Sequence, residues 1–110
     1  MADVNFEQKF LIGPGFDKIA DKQLRTQLVD FSATSGPAVA IGKLQSIVGA
    51  AQTGVLDPET LTALAVLHPD DVCNSLVALR VRMIAQLVQK NPAQAKYLVE
   101  WLDRALQFLQ

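Results

Sequence analysis

Along this chain apolar residues recur at spacings of three and four, and no strand-length run of alternating β-branched residues appears. That period belongs to the α-helix, so an all-α fold is expected, a compact bundle of about five helices. Prolines punctuate the pattern, because four of the five stand where a first helical turn tolerates them. Asp57-Pro58 opens a segment through Leu67, His68-Pro69 opens one to about Lys90, and Asn91-Pro92 opens one to the end. Gln94 is placed for a capping-box contact back to Asn91. Upstream, Gly36-Pro37 starts a helix ending near Gly49, and Asp21 caps one reaching about Thr34.

The helix from Pro69 carries one stripe at Val72, Leu76, Leu79, Met83 and Leu87, and a second at Cys73, Val77, Ile84 and Val88. Two stripes predict the most enclosed helix. The last helix repeats the scheme: Leu98, Leu102, Ala105 and Leu109 form one stripe, with Tyr97, Trp101 and Phe108 beside it. Lys96 with Glu100, and Glu100 with Arg104, are i,i+4 pairs on its wet face. Gly42 interrupts the helix from Pro37 at a cost of about 1 kcal/mol relative to Ala, which predicts a close neighbour against its backbone. Residues 1–20 read as a lead-in segment, with Phe6, Phe10, Leu11, Phe16 and Ile19 around Gly13-Pro14-Gly15, and residues 21–110 as the helical domain.

One hundred and ten residues, half of them hydrophobic, suffice for one core and not for two domains. Ten basic against eleven acidic residues give a net charge of -1 with no block of like charge, which argues against nucleic-acid binding. With one His and one Cys, a zinc site is not expected, and no cofactor is implied. No apolar run is long enough to span a bilayer, and the acidic start does not resemble a secretory signal. Synthesis in the cytoplasm is the expectation.

Candidate chemistry is sparse. Glycoside cleavage needs a carboxylic acid held at raised pKa, and Glu7, Glu59 and Glu100 lack a partner or a buried setting in the pattern. His68 falls at a helix boundary and reads as a cap, and Cys73 lies on an apolar stripe as an inert thiol. Two clusters remain, each with two readings. The loop from Gln52 to Thr60, with Thr53 and Asp57, is either a helix connector or a polar surface for a carbohydrate or peptide. Tyr97, Trp101 and Arg104 are either core and surface residues of a helix or a site where rings stack on sugars and Arg grips a carboxylate.

Two sets of residues carry a family resemblance. Leu44-Gln45, Gly49, Gly54-Val55-Leu56 and Thr60 with Ala63-Leu64 are similar to the Leu-Gln, Gly, Asp-Gly-x-x-Gly-x-x-Thr pattern of helical peptidoglycan-binding domains, with Thr53 and Asp57 replacing the Asp and the second Gly. Gly15-Phe16-Asp17-Lys18-Ile19, Leu28-Val29-Asp30-Phe31 with Ser35-Gly36, Leu44-Gln45, Asn91-Pro92 and Trp101-Leu102-Asp103-Arg104 resemble, in order, the carboxyl-terminal part of family 108 N-acetylmuramidases and secretion activators. The resemblance implies a lysozyme-like helical fold and action on bacterial or phage-targeted cell wall, in the periplasm or wall. It maps a substrate-cleft Asp-x-x-x-Asn-x-Gly segment onto Asp30, Thr34 and Gly36. The family's catalytic Glu lies in an amino-terminal Glu-Gly-Gly motif, and no Glu-Gly pair occurs here.

Three functions follow as expectations: a non-catalytic peptidoglycan-binding module, a part of an active muramidase whose acid lies on another segment, or a helical self-association domain. For the last, Phe6, Phe10, Leu11 and Phe16 are the expected dimer patch.

Overall fold

A computed structural model describes residues 4–110. The short α1 (Val4–Glu7) runs into a π-helical turn (Gln8–Ile12), and a 3-10 turn (Phe16–Lys18) precedes α2 (Lys22–Ser35). Then come α3 (Pro37–Val48), α4 (Pro58–Ala65) and α5 (Pro69–Lys90); a 3-10 turn (Pro92–Tyr97) leads into α6 (Leu98–Leu106). Five helices of eight residues or more form the body, as the periodicity predicts, and no strand occurs among the described residues.

Local chemistry sets the helix starts. Pro37, Pro58, Pro69 and Pro92 all stand in first turns. Asp21 accepts from the Leu24 N–H at 2.9 Å, Asp57 from the Thr60 N–H at 3.0 Å, and His68 Nδ1 from the Asp70 N–H at 3.2 Å. Gly36 closes α2 and opens α3 in a single residue, which its φ of 91° allows and a side chain would resist.

The last helix departs from expectation. Asn91 makes no side-chain cap bond, so the capping box with Gln94 does not form, and the first turns after Pro92 are 3-10 rather than α. Neither i,i+4 pair forms an ion pair among the described residues: Arg104 turns to Asp30, and Lys96, in the 3-10 turn, stands over the Tyr97 ring. Leu109 is exposed, while Phe108 is buried. The chain end is pinned to α5, where Asn74 Oδ1 accepts from the Gln110 N–H at 2.8 Å.

The core gathers Leu24, Leu28 and Phe31 of α2, Ala40, Ile41 and Leu44 of α3, and Val72, Cys73, Leu76 and Val77 of α5. Phe16 and Ile19 belong to it too, so the lead-in is anchored, and Phe16 is not available to a dimer patch. Phe6 and Ile12 remain exposed; Phe10 and Leu11 are half-buried.

α5 is enclosed over its first half only. Its buried positions are Val72, Cys73, Leu76, Val77 and Arg80, which leaves Leu79, Met83, Ile84 and Val88 half-buried and Leu87 46% exposed. The buried stripe therefore runs through Arg80 rather than through Leu79. Beyond its own helix backbone, Gly42 has no atom of the described residues within 4 Å of where a Cβ would stand, so the expected close neighbour is not found among them.

Candidate functional site

The residues singled out from the sequence fall into two regions. The first is the connection between α3 and α4. Gln45, fully buried on α3, reaches into it and organises it. Its amide nitrogen lies 2.8 Å from the Val55 carbonyl, 2.9 Å from the Thr60 hydroxyl and 3.0 Å from the Thr53 hydroxyl, and its carbonyl accepts from the Gly54 N–H at 3.0 Å. Asp57 accepts from both the backbone and the hydroxyl of Thr60, and these bonds hold its carboxyl below the usual carboxylate range. Thr60 is fully buried. Thus Thr53, Asp57 and Thr60 use their hydrogen-bonding capacity within the protein, while Gln52 is exposed beside a shallow hollow with Gly42, Lys43 and Val39. The Leu-Gln…Gly…Thr motif, on this geometry, builds a loop.

The second region is a groove between α2, α5 and α6, about 370 Å³ in volume. Phe31, Thr34 and Ser35 form one wall, Met83, Ile84 and Leu87 another, and Trp101 and Arg104 the third, with Arg80 also in the lining. Asp30 ties it together: Oδ2 accepts from Arg80 Nη2 at 2.6 Å and Oδ1 from Arg104 Nε at 2.7 Å. The Arg80 guanidinium centre lies 5.1 Å from the Phe31 ring centroid and 5.8 Å from that of Phe108, so aromatic faces share in holding the buried cation. Two guanidinium groups against one carboxylate leave a surplus positive charge, and among the described residues no acidic side chain lines the groove. Tyr97 stands beside Trp101, ring centroids 5.4 Å apart, and is 39% exposed.

Of the sequence candidates, Asp30, Trp101, Arg104 and, at the edge, Tyr97 thus come together; Gln52, Thr53, Asp57 and Thr60 form a separate cluster. Arg80 was not singled out from the sequence. Its signal was present: an Arg four residues after Leu76 and three after Val77 sits on an apolar face, where a charge is retained only when paired.

Cys73 is buried as expected. The Gln27 amide nitrogen lies 3.1 Å from its sulfur, the thiol points at the Phe108 carbonyl 3.4 Å away, and burial raises its pKa above the ordinary value. His68 caps α5. Among the described residues no group of three or more His, Cys, Asp or Glu is arranged to hold a metal ion.

The fold and groove define an all-α bundle with one wall of half-exposed apolar side chains and a paired-arginine floor. No family profile matches the chain, and no curated protein sequence matches it. Among solved structures it is similar to that of Brucella abortus SagA, with a TM-score of 0.73 and 25% identity over 94% of this chain and 60% of that one. This chain therefore spans less than two thirds of its neighbour's length. The likeness gives loose support to the family resemblance carried by the motifs, without singling out the carboxyl-terminal part.

Proposed function

We propose that the chain is a non-catalytic peptidoglycan-binding module of the family 108 lysozyme-like type, with its ligand in the groove between α2, α5 and α6. The observation that carries this reading is the likeness to SagA across 94% of the chain, which joins the ordered motifs to one structural relative. The groove supplies the chemistry: the Trp101 indole offers a face for a sugar ring or peptide, and the exposed part of Arg104 offers donors. On this reading catalysis belongs elsewhere: Glu59 and Glu100 are exposed on helix surfaces, and neither they nor the half-buried Glu7 are among the described residues that line the groove.

Co-sedimentation with purified cell-wall sacculi tests the reading. Saturable binding is expected, weakened by the double substitution Trp101→Ala and Arg104→Ala and unaffected by Gln52→Ala, with no release of reducing ends. Failure to sediment, or reducing ends released by repurified chain and lost on Glu59→Gln or Glu7→Gln, overturns it. The second outcome would favour the muramidase reading.

A further inference from the structure

We infer that Arg80 and Arg104 form a carboxylate-binding site in the groove, and that the group it takes is a free carboxylate on an apolar body, a terminal carboxylate of the stem peptide rather than the glycan. Only the source of that carboxylate rests on the peptidoglycan reading; the site stands on its own geometry.

Four observations converge. Arg80 is 6% exposed, and its Nη1 is buried with no hydrogen-bond partner among the described residues, although Nη2 is held by Asp30. A buried charged donor without an acceptor is costly to the free protein, and an arriving acceptor relieves that cost. Arg104 is anchored to Asp30 through Nε, which leaves its two terminal nitrogens without a protein acceptor among the described residues, on a side chain that is 48% exposed. Asp30 thus sets both guanidinium groups side by side, each with N–H groups to give, and a planar acceptor suits that arrangement better than a point charge does. The cluster has one positive charge in excess, which a monoanion neutralises and a neutral sugar does not. Finally, the adjoining wall is aliphatic: Leu87 is 46% exposed and Met83 and Ile84 half-buried, positioned to receive an alkyl group next to the carboxylate.

A plain structural ion-pair network has no reason to respond to a ligand. The wall Arg80 shares with Phe31 and Phe108 makes Arg80 a risky residue to replace, whereas Arg104 lies at the surface and is the safer probe.

The test is calorimetric titration of the full chain with four probes: a free stem tetrapeptide, the same peptide amidated at every carboxylate, an N-acetylglucosamine tetrasaccharide as a glycan that carries no carboxylate, and N-acetyl-leucine. The free peptide is expected to bind, and amidation or Arg104→Gln to weaken it about tenfold or more, as loss of a charge-assisted pair does. The melting temperature of Arg104→Gln should stay near that of the parent, and Arg80→Lys, which keeps the charge and loses the planar fork, should also weaken binding. Equal affinity for free and amidated peptide overturns the site. Binding of glycan but not peptide, indifferent to Arg104→Gln, overturns it too while leaving the peptidoglycan reading intact. Arg104-dependent binding of N-acetyl-leucine with no affinity for either cell-wall probe supports the site and removes the peptidoglycan reading.

Discussion

The loop held by Gln45 and the groove floored by Arg80 both bring polar side chains against the core, and they differ in what is left over. In the loop every strong group finds its partner inside the protein: the Gln45 amide is matched at both ends, Asp57 is matched by Thr60, and Thr53 lies between them. In the groove the matching stops short. Asp30 satisfies one nitrogen of each arginine and leaves buried Nη1 of Arg80 without a partner among the described residues. A closed network stabilises a connection, and an open one next to an apolar wall has capacity for a ligand. Polar residues bunched in a glycine-bounded loop thus belong here to the architecture.

Breaking the closed network should have the largest effect. Gln45→Ala strands the Gly54 N–H, at about 1–3 kcal/mol, and empties a fully buried side-chain site, so the expected cost in chemical denaturation is about 4 kcal/mol. A loss below about 1 kcal/mol would show that water replaces the amide and that the loop is not closed after all.

The two halves of α5 sharpen the same contrast. Leu76→Ala, at a fully buried position, should cost about 3 kcal/mol through a cavity. Leu87→Ala, on the exposed groove wall, should cost less than about 1 kcal/mol, and Leu79→Ala, half-buried, should fall between. Equal costs at positions 76 and 87 would mean that the groove wall is covered in solution. Gly42→Ala probes the neighbouring helix: the site is open and helical, so about 0.5–1 kcal/mol of stability should be gained rather than lost.

The smallest effect is on acid stability. The Thr60 hydroxyl and N–H lower the pKa of Asp57 from its ordinary value of 3.8. A carboxyl lowered in the folded state stabilises the fold above the unfolded pKa, and that contribution fades as pH falls from about 4 through the folded value. Asp57→Asn should therefore make the acid-unfolding curve shallower below about pH 4. An unchanged curve would mean that this carboxylate gains nothing from the loop. Cys73 offers a companion measurement, since its raised pKa and burial predict slow alkylation at neutral pH unless the protein is unfolded.

Much of the fold was legible because the signals act over one helical turn. Pro37, Pro58, Pro69 and Pro92 mark starts, and Asp21, Asp57 and His68 cap with side chains that reach two or three residues ahead. Where such rules failed, a longer-range partner prevailed. Arg104 was placed in an i,i+4 pair with Glu100, but a surface pair of that kind contributes a few tenths of a kcal/mol, and a half-buried carboxylate from α2 outcompeted it. The double stripe of α5 foretold burial along its whole length, yet a stripe specifies which face seeks cover and not whether another element is long enough to give it.

By itself, then, the sequence determined the α-helical period, the positions where helices begin, the inert setting of Cys73 and the capping role of His68, since each follows from chemistry within a few residues. Only the tertiary structure decided that Asp30 meets Arg80, 50 residues away, and Arg104, 74 residues away, and that Gln45 rather than a ligand occupies the polar groups of the loop. Those meetings depend on how whole helices pack. A side chain's partner at that distance is fixed by the sum of the core contacts that bring two helices together, and no local pattern records that sum.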